Sequence, residues 1–485
     1  MDRPNIVLMM TDQQRWDTLR FLGFEHMVTP NLDRLARRGI AFSHAFTQGA
    51  VCGPSRNSIV SGQYVHTHGV EYNEAWLAPG QPNWIERLRD GGYHTVNIGK
   101  MHTAPIRLPC GFNHRTVVEN KNYCQGMHGP DPDDYDLYLA HYGLKRPALS
   151  YFREVPDWPD YLGAAVWPHD EALFPDNFVG RLSVEAVRAH DFSRPLFLWS
   201  GFAGPHDPYD ATASSLARYE DSPIPAPVGI PDELDTKPPP QRQLMQGMDG
   251  KETMAAIWWS RANPERIRRM RKHYYANITQ IDDWVGEIVA AVEARGQLDN
   301  TVFVFTSDHG DCLGDHHQVY KFSSHYDAVA RVPLVWAGGG GAGGRGDAGG
   351  ADRPGADLPG HGRAGTAGRR QRPIAAAAPG GRQRRSARDS FFGVRHAGDG
   401  AHPGLETGLL PGPALRRALR FGRRSRRALQ SLRRTGKPGG AGRHGRAHIA
   451  LVRSDADAKM RPAIRPGGAP RPGATPPPAE PSPAR

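Results

Sequence analysis

Four apolar runs in this chain end on residues that carry chemistry. Asn5 to Met10 runs into Thr11-Asp12, and His94 to Ile98 into Gly99-Lys100. Pro195 to Gly201 leads to Pro205-His206, and Thr301 to Phe305 to Ser307-Asp308-His309. Short apolar runs bounded by turn residues read as buried strands. Helical signals lie between them. Leu32 to Arg38 follows Thr29-Pro30-Asn31 and stops at Gly39; Asn83 to Arg89 is a short helix, and Pro264 to Arg295 a long amphipathic one. Ile40 to Phe46 and Val332 to Trp336 complete the expected strands. Strands alternating with helices predict an α/β fold: a mixed, largely parallel central sheet flanked by helices. Ligands of such sheets bind beyond the carboxyl ends of the strands, so Asp12, Lys100, His206 and Asp308 are expected on one rim.

The formal charge of +11 suggests a nucleic-acid partner, but its distribution argues against one. From Ala337 onward there are 27 Arg, 2 Lys and 9 acidic residues, a net +20, whereas the first 336 residues carry 32 basic and 41 acidic residues, a net −9. The basic part is built from Gly, Ala, Arg and Pro, a composition that cannot form a packed core. Reverse-translated and read one base further on, it can encode ordinary protein sequence: DRPGAD (Asp352 to Asp357) can read IDLAPT, and IAAAAPGG (Ile374 to Gly381) can read SLLPLLA. The expectation is a catalytic domain over 1–337. Residues 338–485 are expected to be a frameshifted, disordered tail standing where a small C-terminal subdomain would be. The apolar run Ile6 to Met10 is too short for a signal-peptide core, and no stretch approaches the roughly 20 apolar residues of a membrane span. A cytoplasmic protein with no membrane and no nucleic-acid partner is expected.

Of four cysteines, Cys52, Cys110, Cys124 and Cys312, none sits in a zinc-like spacing. Cys52 stands in AVCGPSRNSIVSG, where Pro54 suits a first helical turn and Gly62 a helix end. Cys52 and Arg56, four apart, fall at the start of that helix, where free N–H groups and a guanidinium hold a tetrahedral anion. Asp12, Asp308 and His309 offer two hard oxygens and a nitrogen, which suit Ca²⁺, Mg²⁺ or Mn²⁺ better than zinc. Lys100 and His102 face the same side of an extended segment, and supply an oxyanion donor and a group that titrates near neutrality. His206 in PHDP and Lys321 after GDHHQVY are further candidates, while His66 and His68 read as surface or packing residues. Each has an ordinary structural explanation by itself: a cap, a turn, a solvated loop. One feature fits poorly, because a plain thiol is a soft ligand among hard ones.

The motif CGPSR followed by SG resembles the sulfatase family, in which that cysteine is oxidised to formylglycine. The resemblance extends over residues 3 to 336, through PNIVLMMTDQQ, TPNLDRLARRGIAF, NIGKMH, GPHDP, YYANITQIDDWVGEIV, DNTVFVFTSDHGDCLGDHH and ARVPLVW, in the family's order. It implies a metal- and formylglycine-dependent sulfuric ester hydrolase of arylsulfatase type on an alkaline-phosphatase-like fold. Cys52 would be the formylglycine nucleophile. Asp12, Gln13, Asp308 and His309 would hold the metal together with position 52, calcium ahead of magnesium or manganese. Arg56 and Lys100 would orient the hydrated aldehyde, and His102 would be the base that releases sulfate. His206 would protonate the leaving oxygen, and Lys321 would grip the sulfate. The partners implied are a small-molecule or saccharide sulfate ester and a formylglycine-generating enzyme. Many relatives carry Asp-Asp where this chain has Asp12-Gln13, and Asp-Asn where it has Asp308-His309. A phosphonate monoester or phosphodiester hydrolase on the same scaffold is therefore the alternative, and an inactive truncated product a third reading. Residues 105–260 are expected to set specificity, with Trp158, Trp167, Trp258 and Trp259 as stacking candidates that more often serve as packing.

Overall fold

A computed structural model describes residues 3–121, 132–147, 155–242, 257–321 and 325–338. Cys124 and the tail beyond 338 lie outside the described residues, as do parts of the 105–260 stretch. The strands are β1 (Asn5–Asp12), β2 (Gly39–Ala41), β3 (Ala45–Phe46), β4 (His94–Gly99), β5 (His114–Val117), β6 (Leu196–Pro205), β7 (Thr301–Ser307), β8 (Arg331–Val332) and β9 (Leu334–Gly338). The main helices are α1 (Pro30–Arg37), α2 (Cys52–Ser61), α3 (Trp84–Asp90), α4 (Asp134–His141), α5 (Pro175–Ala189) and α6 (Pro264–Ala294).

Seven strands form one sheet in the order β2-β9-β7-β1-β6-β4-β5. β1 lies parallel to both β6 and β7, and β4 parallel to β5 and β6, while β9 is antiparallel to β2 and β7. The expected mixed, largely parallel sheet is thus present. The reason is the pattern of β1: Val7 and Met9 join one apolar cluster and Leu8 and Met10 another, so both faces are buried and the strand reads as an unbroken apolar run. On the first face Val7, Met9, Leu198, Phe303 and Phe305 pack against Phe178 and Leu182 of α5 and Ile281, Val285 and Ile288 of α6. Each such side chain contributes about 1.5–3 kcal/mol on burial. On the other face Leu8, Met10, Phe197 and Trp199 meet Val60 of α2 and Ile85 of α3.

Two expected strands are corrected. Ile40 to Phe46 is not one strand but β2 and β3, and Val332 to Trp336 is not one strand but β8 and β9. β3 pairs with β8 in a separate two-stranded sheet, while β2 pairs with β9 in the main one. Pro333, which has no N–H to donate, sits at the break, and the Arg331 guanidinium fastens the facing chain by donating to the Ser43 carbonyl (Nε–O 2.8 Å). Among the described residues, no helix is long and apolar enough to cross a membrane.

Candidate active site

α2 starts at Cys52 itself, with Val51 extended as its cap residue and Gly62 closing it at φ 69°. Gly53 is required there: a Cβ would fall 2.9 Å from Asn73 Cα, and the Gly53 N–H already donates to Asn73 Oδ1 at 2.8 Å. Ser55 ties the helix to the loop after β7 by donating to the Asp308 carbonyl at 2.7 Å. The first turn of α2 is thereby clamped against the carboxyl ends of β1 and β7.

Four of the expected residues converge at that clamp. Asp12, Cys52, Asp308 and His309, all buried, present ligand atoms that lie within 4.8 Å of one another. Cys52 Sγ is 3.2 Å from His309 Nε2 and 3.7 Å from Asp12 Oδ1. Arg56, fully buried, forks across the two carboxylates: Nε reaches Asp308 Oδ2 at 2.9 Å and one terminal nitrogen reaches Asp12 Oδ2 at 3.2 Å. Its other terminal nitrogen donates to the Lys100 carbonyl at 2.9 Å. Lys100 Nζ lies 2.6 Å from Asp12 Oδ2 and donates to Asn120 Oδ1 at 2.6 Å. Burial alone would raise the Asp12 carboxyl, but Lys100, Arg56 and Lys321 hold it well below the usual carboxylate range.

A second group sits beside the first. Lys321 Nζ donates to Gln13 Oε1 at 2.7 Å and lies 2.9 Å from His206 Nε2. An ammonium can only donate, so His206 Nε2 is an acceptor here and its proton is on Nδ1, which meets the Asp207 carbonyl at 2.7 Å. Burial and then Lys321 push the His206 imidazole well below its ordinary value, in keeping with a neutral ring. Burial, then Lys100 and Arg56, do the same for His102. The His102 backbone N–H donates to Glu119 Oε2 at 2.9 Å, and its buried Nδ1 has no hydrogen-bond partner among the described residues.

The sequence reading missed the shell that orders these groups. Asn120, Glu119, Asp207 and Asp311 are all buried and all touch an expected residue. Asp207 and Asp311 lie within the very motifs that were read, PHDP and SDHGD. That adjacency was the one available signal. Burial lifts the Asp207 carboxyl to about 6 against the pull of Lys321. Of the tryptophans, Trp158 is buried beside Tyr161 and Trp167 packs edge-on to Phe174. These two are packing residues, whereas Trp258 and Trp259 are half-buried. His68 is buried against the Ser58 hydroxyl (2.8 Å) and His66 is exposed.

The donor set suits a divalent cation of hard or borderline character. Arg56 and Lys100 occupy Oδ2 of Asp12 and of Asp308, which leaves Oδ1 of each carboxylate out of these ion pairs. The thiol of Cys52 is the one donor that does not suit such an ion. An apolar cavity of 430 Å³ also opens beneath α2, lined by Ile6, Phe46, Trp84, Val304 and Trp336 among others. It contains none of the titratable residues of the rim.

A family model described as Sulfatase matches residues 4–347. An arylsulfatase of Clostridium perfringens is 33% identical over 341 residues, covering 68% of this chain and 68% of the relative. The multifunctional alkaline phosphatase superfamily protein PehA of Trinickia caryophylli is 30% identical over 352 residues, covering 69% and 68%. Among solved structures, the phosphonate monoester hydrolase of Agrobacterium radiobacter shares the fold with a TM-score of 0.55 at 24% identity, over 69% of this chain and 68% of that one.

Proposed function

The chain belongs to the sulfatase family, and from that premise we propose that the Cys52 site hydrolyses a sulfuric ester of a small molecule or saccharide. The observation that carries the reading is the position of Cys52: buried, first in its helix, and 3.2 Å from His309 Nε2 among hard metal donors. A thiol is the wrong group there, and an oxygen-bearing one the right group. We therefore read Cys52 as the precursor of formylglycine, made by a maturation enzyme. Once hydrated, that residue supplies two hydroxyls on one carbon, one to attack sulfur and one whose deprotonation lets sulfate leave. A divalent metal, calcium ahead of magnesium or manganese, would be held by Asp12, Gln13, Asp308, His309 and position 52, and would supply Lewis acidity to oxygens beside it.

The other roles follow from what each side chain already does. Arg56 and Lys100 anchor Asp12 and Asp308 and leave donors along the edge of the site, so they orient position 52. His102, held neutral by burial and by its cationic neighbours, takes the proton when sulfate departs. Lys321 is the cation that a sulfate group meets. As it turns to the anion it gives up His206 Nε2, which then takes up a proton from solvent and passes it to the leaving oxygen. A second reading is phosphonate monoester or phosphodiester hydrolysis on the same residues, since a phosphonate monoester hydrolase shares the fold. The test is kcat/KM for p-nitrophenyl sulfate against p-nitrophenyl phenylphosphonate on one preparation. A higher value for the sulfate is expected, and a higher value for the phosphonate would replace the first reading with the second.

We further read residues 1–337 as the catalytic domain of a cytoplasmic enzyme and 338–485 as a frameshifted tail. Two features support this: the charge reversal at residue 337 and a family match that stops at 347. Resequencing the gene around codons 337–352 decides it. A frame confirmed as written removes this account of the tail and leaves the inactive product as the reading to beat.

A further inference from the structure

Gln13 is an amide placed where its two ends must not be exchanged. Its Nε2 donates to Asp311 Oδ2 at 2.5 Å and lies 3.3 Å from Asp207 Oδ1, while its Oε1 accepts from Lys321 Nζ at 2.7 Å. Turned over, the amide would set its nitrogen against an ammonium and its oxygen against two carboxylates. Of the two carboxylates, Asp311 makes the shorter contact and is the more firmly built in. Its Oδ1 accepts from the backbone N–H groups of Leu313 (2.8 Å) and Tyr320 (2.9 Å), and its Oδ2 also accepts from the Tyr209 hydroxyl (2.6 Å). The backbone of Gln13 is pinned as well. It has φ 69°, its N–H donates to Asp308 Oδ1 at 3.0 Å, and its carbonyl accepts from the Tyr274 hydroxyl at 2.5 Å. A non-glycine residue at positive φ needs such support.

We infer that Asp311 is a positioning residue: through Gln13 Nε2 it fixes the amide so that the oxygen, and never the nitrogen, faces Lys321 and the metal-binding side of the site. This rests on the proposed reading in taking that side to bind a cation and Gln13 as one of its ligands. Asp311 touches neither metal nor ester. It acts by deciding which atom of Gln13 does.

The test is a charge swap followed by metal titration. Asp311→Asn keeps the shape and the two backbone contacts through its oxygen, but turns its NH₂ toward Gln13 Nε2. Two donors then face each other and the Gln13 amide flips. Adding Gln13→Glu restores a donor–acceptor pair, because the amide introduced at position 311 can donate to one carboxylate oxygen while the other faces Lys321. Asp207, close to the same atom, keeps the restoration partial. Binding is read on the full chain as the rise in thermal midpoint with Ca²⁺ alone and with Mn²⁺ alone, and kcat and KM are read for p-nitrophenyl sulfate. D311N is expected to raise the half-saturating metal concentration at least tenfold, and the double variant to recover at least threefold of that loss. If D311N does not fold, the double variant is compared with Q13E, and tighter metal binding by the double variant is expected. Metal binding by D311N equal to that of the parent, or a double variant no better than either single one, overturns the inference. A merely structural role would lower the midpoint without metal and give no recovery. Absence of sulfate ester turnover in the parent, with the metal coupling intact, breaks the functional reading and leaves this one standing.

Discussion

The rim beyond the parallel strands and the apolar groove beneath α2 share one sheet and obey opposite rules. At the rim, charge is buried and paired: Arg56 between Asp12 and Asp308, Lys100 on Asp12, Lys321 between Gln13 and His206. In the groove, apolar side chains stay uncovered: Phe46 is 49% exposed and Trp336 49%. The described residues pair the charges of the rim with one another, whereas they leave the groove an open face. The difference is that a buried charge must find its partners in the same fold, while an apolar face can remain exposed at a cost in solubility. The chemistry of this chain is therefore separable from the completeness of its packing.

Breaking the rim should give the largest effects. Cys52→Ala removes the proposed nucleophile. Turnover of p-nitrophenyl sulfate should fall by at least about 10³-fold, since nucleophile deletions have effects of that order or more. The thermal midpoint should move little, because the side chain is small. Residual turnover above a tenth of the parent's would place the nucleophile elsewhere.

Lys100→Met comes next. It removes a buried cation proposed to orient position 52, and a loss of about 10²–10³ in kcat is expected. It also sharpens the role of His102. Burial first, and Lys100 second, lower the His102 pKa. A base works only when neutral, so kcat in the parent should hold as pH falls below the usual histidine value of about 6.5. Without Lys100 the acid limb should move to higher pH. A limb that stays in place means that His102 is not the group that titrates.

Changing the groove should do least. Trp336→Ser touches no rim residue, so kcat/KM should stay within about twofold and stability within about 0.5 kcal/mol, as for other surface changes. Binding of an apolar fluorescent dye should fall. Unchanged dye binding would show that the groove is not an open apolar face.

The same contrast explains what the sequence disclosed. β1, β6 and β7 were legible because a strand buried on both faces is an apolar run, and their rim residues follow directly. The helix α5 was missed although Pro175 opens it and Phe178, Val179, Leu182 and Val187 mark its buried face. β5 is four residues, His114–Val117, too short and polar to stand out. The Pro333 break was visible but weighed against nothing, because strand partners are not written in a single strand. Asp12, Lys100, His206 and Asp308 could be placed from local pattern. The roles of Lys321 and Cys52 came from resemblance. Asp311 and Glu119 belong to neither class: Gln13 and Asp311 lie 298 positions apart, and only the fold brings their side chains together.

The central claim is that position 52 works as an aldehyde and not as a thiol. It is tested most directly by the mass of the tryptic peptide Gly39 to Arg56 from preparations of differing specific activity. Conversion lowers that mass by about 18 Da. Sulfate ester turnover should rise in proportion to the converted fraction and extrapolate to zero where none is converted. Full turnover from a peptide that retains its thiol would contradict the account.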